Sequence, residues 1–117
     1  MTKMKLLLAA AVFVVSGSAI ASTFHGFSVV GVPEDDVLNA RSGPGTAHSI
    51  QTAYPNGANL SLTGNCTGGL RIDDLGGLSR AQKHARIKSR WCEIWHDPNG
   101  SGAFVSGWVY GRYIYPH

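Results

Sequence analysis

The stretch Val37–Thr46, with the sequence VLNARSGPGT, carries the strongest fold signal in this 117-residue chain. Leu38 and Ala40 alternate with polar residues, which predicts the two inward-facing side chains of a short β-strand. The SGPG sequence that follows is a strong turn signal. We expect Gly43 and Gly45 to adopt backbone angles that other residues resist, with the proline between them fixing the turn. The stretch therefore predicts one strand and the turn that ends it.

Short β-rich runs separated by turn signals continue along the chain on both sides of this stretch. Pro55-Asn56-Gly57 is one such turn sequence, and residues 97–102 form another. The predicted strands cover residues 27–32, 37–41, 50–54, 59–63, 90–96, 104–110 and 113–115. Strands this short at this spacing, without a long helical pattern, predict an all-β barrel or sandwich.

The segment 68–89 is the exception to the β pattern. Ser79 followed three residues later by Gln82 is a capping-box sequence, and the residues around Gln82 favour a helix. We expect a helix of about 10 residues over Arg80–Ser89, a length that is marginal without tertiary packing. This helix would lie in an insertion between two strands of the sheet.

The first 21 residues have the organisation of a signal peptide. Two lysines precede an unbroken apolar run over Leu6–Val15, and Ala19-Ile20-Ala21 places small residues where a signal peptidase cleaves. We predict cleavage after Ala21, which leaves a domain over residues 22–117. A membrane span needs about 20 apolar residues, so this run is too short to be one. We therefore expect a periplasmic or secreted protein that does not span the membrane after cleavage.

Loss of the signal peptide changes the charge of the working protein. The full chain has 10 Lys and Arg against 7 Asp and Glu. Removing the two lysines of the signal peptide leaves 8 basic residues against 7 acidic ones, a net charge of +1. A balance this small does not support a nucleic-acid partner.

Both cysteines, Cys66 and Cys92, lie in the mature domain, where an oxidising compartment favours a disulfide. If Leu60 and Leu62 point inward, the two-residue period of a strand also points Cys66 inward. Cys92 shares a face with Ile94 for the same reason. The opposite face of that strand would carry Trp91, Glu93 and Trp95. The sequence thus predicts one bridge between neighbouring strands.

The VLNARSGPGT stretch resembles the LNVRSGPGT signature of bacterial SH3-like (SH3b-type) domains. Four further landmarks follow in the order of that family. They are a strand with a Gly-containing turn at 50–57, an apolar strand at 60–62, a Trp-led strand at 91–94, and GWV at 107–109 before an aromatic-Ile close at 113–114. The resemblance covers residues 27–114, and the segment Cys66–Ser89 departs from it because typical members are shorter there.

The resemblance implies a small, strongly bent SH3-like β-barrel of five to six strands with one short helix in an insertion. It also implies non-enzymatic binding in the cell envelope, with peptidoglycan or a wall-associated peptide as the ligand. A second interpretation is an inhibitor or interaction protein that acts on a secreted or periplasmic partner.

No residue pattern points to catalysis or to a bound cofactor. Nothing resembles a nucleophile elbow, and the five histidines are scattered without ligand spacing. Residues 97–101 mimic the start of a calcium loop, but Gly100 comes two positions early and Trp108 stands where the closing acid is needed. We therefore expect a non-enzymatic protein without a metal site or cofactor.

Large aromatic side chains are the best candidates for a binding face. Trp91 and Trp95 are expected to point outward because Cys92 and Ile94 point to the core, and Tyr54 and Tyr110 complete the candidate set. Trp108 is expected to fill the core or its rim. Exposed rings beside polar groups suit the binding of sugars or extended peptides.

The expected helix is strongly basic. It carries Arg80, Lys83, Arg86 and Lys88 and no acid. One interpretation is a solvated helix balanced by two nearby aspartates, and the other is a basic patch that binds anionic envelope polymers. The disulfide would hold this helix beside the strand that displays Trp91 and Trp95.

Overall fold

The computed structural model describes residues 25–97 and 99–117. The signal peptide and its cleavage site lie outside the described residues. The described chain forms one antiparallel sheet with a single α-helix and three short 3-10 helices. Within these residues, no helix has the length and apolar character needed to cross a membrane.

The strands are short, and each is bounded by turns. They are β1 (His25–Val29), β2 (Leu38–Arg41), β3 (Ile50–Tyr54), β4 (Asn59–Cys66), β5 (Trp91–His96), β6 (Val105–Tyr110) and β7 (Ile114–Pro116). The helix α1 covers Arg80–Ile87, and the 3-10 helices cover Thr67–Gly69, Ile72–Leu75 and Gly111–Tyr113. The order across the sheet is β3-β2-β6-β5-β4-β1-β7.

The sheet confirms the prediction of a mostly β domain with one short helix, and its strands pair antiparallel. Seven strands pair, each overlapping one of the seven β-rich runs of the sequence, which is more than the five to six strands that the resemblance implies. Among the described residues, β3 and β7 each have a strand neighbour on one side only, so the sheet is not closed. β1 ends at Val29, three residues earlier than predicted, because the chain turns at Gly31 with φ +70°.

The core lies on one face of the sheet and follows the two-residue period of the strands. Leu60, Leu62 and Cys66 are buried from β4, and Cys92 and Ile94 are buried from β5, as the sequence predicts. The other strands add Phe27, Val29, Leu38, Ala40, Val109 and Ile114. Burying one such large aliphatic or aromatic side chain stabilises the fold by about 1.5–3 kcal/mol. The core is therefore shared by strands from both halves of the chain.

The predicted disulfide is present. Cys66 and Cys92 lie directly opposite each other in the β4–β5 pairing, and their sulfurs are bonded. β4 reaches Cys66 through an irregularity in this pairing after Leu62, yet it keeps its inward side chains on the core face. A structural disulfide is compatible with a periplasmic or extracellular location.

The insertion between β4 and β5 packs on the core. Ile72, Leu75 and Ile87 are buried, so both a 3-10 helix and α1 contribute apolar side chains. The capping box predicted at Ser79 is present: Gln82 N donates to Ser79 Oγ at 3.1 Å, and Ser79 N donates to Gln82 Oε1 at 2.9 Å. The helix ends two residues earlier than predicted, because the chain turns into β5 through a bond from Arg90 N to the Ile87 carbonyl.

The glycines of the SGPG turn serve two different purposes. Gly45 has φ +126°, as expected for a position that other residues resist. Gly43 lies outside the positive-φ region, contrary to expectation. A β-carbon at Gly43 would lie 2.6 Å from the ring of the exposed His48, so this glycine allows the imidazole to pack closely on the turn and does not serve for its backbone angle.

Candidate functional site

Large side chains on β5 and β6 cover the outer face of the sheet, opposite the core. The register of these strands pairs Trp91 with Tyr110, Glu93 with Trp108, and Trp95 with Ser106. Directly paired residues of antiparallel strands share a face. Trp91 and Trp95 therefore point outward, as predicted, and Trp95 is 40% exposed.

Trp108 lies on this outer face and not in the core. It is half-buried and pairs with the outward Glu93, whereas its neighbour Val109 is fully buried. We expected Trp108 to fill the core or its rim. In β6, however, Gly107 and Val109 take the inward positions, so the alternation of the strand points Trp108 outward.

Three half-buried rings form a continuous aromatic row. The ring centroids of Trp91 and Tyr110 are 5.4 Å apart, and those of Tyr110 and Tyr113 are 6.3 Å apart. Both pairs are tilted, a geometry that suits the ring quadrupoles. The row runs from β5 across β6 to the 3-10 helix that follows it.

The aromatic row forms one wall of a groove with a volume of about 450 Å³. The other lining residues come from the loop before β2, from β2 itself and from the turn after it. They are Val32, Pro33, Asp36, Val37, Leu38, Asn39, Arg41 and Thr46. We call this the aromatic groove. It brings the VLNARSGPGT stretch and two of the predicted ring residues, Trp91 and Tyr110, into one concave site.

The side chain of Asn56 holds the loop before β2, which forms one wall of the aromatic groove. Asn56 accepts a hydrogen bond from Val32 N at 3.0 Å and donates to the Val32 carbonyl at 2.7 Å. The loop then closes on itself through Asp36 N to the Pro33 carbonyl at 2.9 Å. This wall is therefore positioned before a ligand arrives, which lowers the entropic cost of binding.

Two oppositely charged side chains line the aromatic groove. Arg41 Nη1 donates to the carbonyls of His48 at 2.9 Å and of Thr46 at 3.2 Å, which orients its guanidinium against the turn. Asp36 lies in the loop wall, and its carboxylate accepts from Val37 N at 2.8 Å. Within the described residues, the one close contact between a basic and an acidic side chain joins His25 Nε2 and Asp73 at 3.1 Å, so Asp36 and Arg41 are not paired with each other.

Glu93 separates Trp91 from Trp95 on the outer face. Its carboxylate accepts from Thr63 Oγ1 at 2.9 Å and from Asn65 Nδ2 at 3.2 Å, and Arg71 donates in turn to Asn65. Trp95 lies beyond this polar cluster and does not line the aromatic groove. The two tryptophans of β5 thus lie on the same face, but Trp91 lines the aromatic groove and Trp95 lies on the far side of the Glu93 cluster.

Tyr54 also lies away from the aromatic groove. It is half-buried, pairs with Leu38 across β2 and β3, and packs against the core. Burial raises the pKa of the Tyr54 hydroxyl above its ordinary value. Its position identifies it as a core-edge residue.

The basic helix packs against β7 and the 3-10 helix Gly111–Tyr113. Arg80 Nε donates to the Pro116 carbonyl at 3.1 Å, and its guanidinium lies 5.3 Å from the Tyr115 ring centroid. Arg80, Lys83 and Arg86 do not line the aromatic groove. Lys88, at the end of the helix, lines a second cleft that adjoins it at Tyr113. The structure therefore brings one of the four basic residues close to the aromatic row.

Asp36, Arg41 and Tyr113 line the aromatic groove although they were not predicted as binding residues. Arg41 follows the inward Ala40 in β2, so the alternation of this strand indicates that its side chain points outward. Asp36 had no such signal, because its position depends on how the loop folds back. No group of three His, Cys, Asp or Glu able to hold a metal occurs among residues 25–97 and 99–117.

Comparisons with models of protein families, with curated proteins and with solved structures find no match to this chain.

Proposed function

We propose that this protein is a non-enzymatic binding module of the bacterial cell envelope, with an SH3-like fold, that holds peptidoglycan or a wall-associated peptide. The observation that carries the proposal is the aromatic groove, in which Trp91, Tyr110 and Tyr113 lie with Asp36 and Arg41. The order of the sequence landmarks supports the SH3-like arrangement. The disulfide supports a periplasmic or secreted location.

The groove chemistry suits an extended ligand with polar ends. Aromatic faces bind the apolar faces of sugars and the side chains of peptides. The Asp36 carboxylate accepts hydrogen bonds from an amine, and the free N–H groups of Arg41 bind a carboxylate. Wall peptides combine an extended backbone with amino and carboxyl groups, so they match these side chains.

The test is co-sedimentation of the exported protein with purified peptidoglycan sacculi, with Trp91→Ala compared with Trp95→Ala. Both substitutions remove an outward tryptophan from the same strand, but only Trp91 lines the aromatic groove. We expect Trp91→Ala to weaken binding by about tenfold, the usual cost of removing an aromatic anchor. Trp95→Ala serves as the matched control and should bind within about twofold of the unmodified protein.

One result would overturn the groove assignment, and another would overturn the choice of ligand. Loss of binding in Trp95→Ala alone would place the site at the other end of the outer face. Absence of the unmodified protein from the sacculus pellet would remove peptidoglycan as the ligand. Circular dichroism of each variant separates loss of contact from loss of fold.

A second candidate function is an interaction protein that acts on a secreted or periplasmic partner. The observation that favours it is the edge strand β3, which lacks a neighbour on one side among the described residues and exposes 53% of Ile50. Such an edge accepts an added strand from a partner. Pull-down from an envelope extract, with Ile50→Lys as the variant that should abolish capture, distinguishes this function from sacculus binding.

A further inference from the structure

A second cleft adjoins the aromatic groove and shares Tyr113 with it. Its volume is about 410 Å³, and it is lined by Val30, Gly31, His84, Lys88, Arg112 and Tyr113. Helix α1 contributes the histidine, the C-cap position that follows it contributes the lysine, and the 3-10 helix after β6 contributes the arginine. Among residues 25–97 and 99–117, no acidic side chain lines it. We call it the basic cleft.

Hydrogen bonds to backbone carbonyls fix the walls of the basic cleft. His84 Nε2 lies 3.1 Å from the Arg112 carbonyl, and because a carbonyl only accepts, this nitrogen carries the proton. Val30 N donates to the Tyr113 carbonyl at 2.9 Å, which holds the opposite wall. The cleft is therefore built by contacts between three segments of the chain.

Lys88 and Arg112 have no acidic partner within the part of the chain that the structure describes. Both are exposed, and the one close contact between a basic and an acidic side chain in that part joins His25 and Asp73. Residues 1–24 contain neither Asp nor Glu, so they cannot supply a partner. Two like charges beside one cleft without compensation form a positive site that attracts an anion.

The end of α1 does not oppose such an anion. The C-terminal carbonyls of a helix carry partial negative charge when they lack partners. Here Arg90 Nε donates to the Arg86 carbonyl at 3.1 Å, and Arg90 N donates to the Ile87 carbonyl at 2.9 Å. The basic side chains therefore dominate the local field.

We propose that the basic cleft binds an anionic group, carboxylate or phosphate, of the same ligand whose body lies in the aromatic groove. This inference rests on the proposed function, since it assigns a second part of that ligand. Tyr113 borders both sites, so one extended molecule reaches from the aromatic row to Lys88 and Arg112. The Arg112 guanidinium lies 5.9 Å from the Tyr113 ring centroid, and its planar fork suits an oxyanion.

The test compares two double variants of the exported protein in the sacculus assay at low and high salt. The cleft variant, Lys88→Gln combined with Arg112→Gln, removes both charges of the basic cleft. Lys83→Gln with Arg86→Gln removes two charges from the same basic region outside the cleft and serves as the control. We expect the cleft variant to bind about fivefold more weakly at low salt and to lose most of its salt dependence, because exposed charges are screened beyond about 8–10 Å at physiological ionic strength.

Treated sacculi identify the source of the anion. Sacculi whose carboxyl groups are amidated should bind the unmodified protein no better than they bind the cleft variant, if the group is a carboxylate. This equality separates the basic cleft from a carboxylate that Arg41 alone binds in the aromatic groove. Sacculi stripped of phosphate polymers by acid should show this equality instead, if the group is a phosphate. Either pattern supports the proposal. Equal weakening by the control variant would overturn it, because charge in general would then explain the binding.

A second measurement separates this inference from the proposed function. Titration of the protein with inorganic phosphate or acetate, followed by NMR, should shift the amide signals of Gly31, Lys88 and Arg112 saturably, and the cleft variant should lose these shifts. If the shifts occur but sacculi do not bind, the proposed function fails and the anion site stands. If sacculi bind but the cleft variant is unaffected and no shifts occur, the anion site fails alone.

Discussion

At the scale of single residues, His96 is the buried ionisable side chain of the described core. It is 3% exposed, and its Nε2 lies 2.9 Å from Gln51 Oε1 on the edge strand β3. Its Nδ1 has no hydrogen-bond partner among the described residues. The inward neighbour Gly107 makes room for it, because a β-carbon there would lie 2.8 Å from His96 Nε2. Gly107 thus leaves space for the side chains of His96 and Gln51, and the ring of the neighbouring Trp108 does not occupy that space.

Burial makes the stability of this protein depend on pH through His96. Burial lowers the pKa of His96 below 6.5, and the Asp97 carboxylate partly opposes the shift. The unfolded chain takes up a proton near its ordinary pKa, while the folded protein resists it. The unfolded state therefore binds more protons, and we expect the free energy of unfolding to fall as pH falls below about 6.5.

Urea unfolding at several pH values measures this dependence. His96→Gln should flatten the slope between about pH 5 and 6.5, because the titrating group is gone. His48→Gln is the control, since His48 is exposed and its loss should leave the slope in place. An unchanged slope in His96→Gln would assign the pH dependence to other groups.

At the scale of elements, the contact between α1 and the Gly111–Tyr113 helix depends on one glycine. Gly111 is buried, and its N–H donates to the Arg90 carbonyl at 2.7 Å. A β-carbon at this position would collide with the carbonyl of Ile87 and lie 3.0 Å from that of Arg90. These atoms are backbone, so they cannot move aside without shifting the end of α1.

We therefore expect Gly111→Ala to lower the free energy of unfolding by about 1–3 kcal/mol, the usual cost of overpacking. Gly76→Ala is the matched control: its φ is −58°, and its new β-carbon would lie 3.7 Å from the Asp73 carbonyl, an ordinary contact. Equal stability of the two variants in denaturant unfolding would contradict the close packing described here. A destabilised Gly111→Ala should also disturb the basic cleft, since Arg112 follows directly.

At the scale of the whole molecule, the disulfide restricts the 25 residues between Cys66 and Cys92. That loop holds two 3-10 helices and α1, and it places Ile72, Leu75 and Ile87 on the core. Closing a loop of this length lowers the entropy of the unfolded chain and stabilises the fold by about 3–4 kcal/mol on the chain-entropy estimate. For a small domain this is a large share of the total stability.

We expect Cys66→Ser combined with Cys92→Ser to lower the free energy of unfolding by about 2–5 kcal/mol. The double variant avoids a lone thiol, and chemical unfolding of the exported protein gives the number. Intact mass before and after reduction and alkylation verifies the bridge in the starting protein. Two free thiols in that protein, or a double variant of unchanged stability, would contradict the structure.

The local features of this protein follow from short-range patterns in its sequence. The alternation in β4 and β5 predicted the buried faces, and it correctly paired Cys66 with Cys92. Ser79 and Gln82 predicted the start of α1, because a capping box is a contact between residues three positions apart. Such features are readable because their cause lies within a few residues of the chain.

Which outward residues meet depends on how distant segments of the chain pack together. Trp91 and Trp95 are equivalent by parity, yet the loop pinned by Asn56 adjoins one of them and not the other. Gly111 allows α1 to pack closely against a segment more than 20 residues further along the chain. Because of this packing, the helix ends at Ile87 and Lys88 lines the basic cleft. The order of the strands, which leaves β3 and β7 at the edges, likewise depends on pairing between segments far apart in the chain, such as β1 with β7. Contacts between distant segments set these outcomes, and no local pattern encodes them.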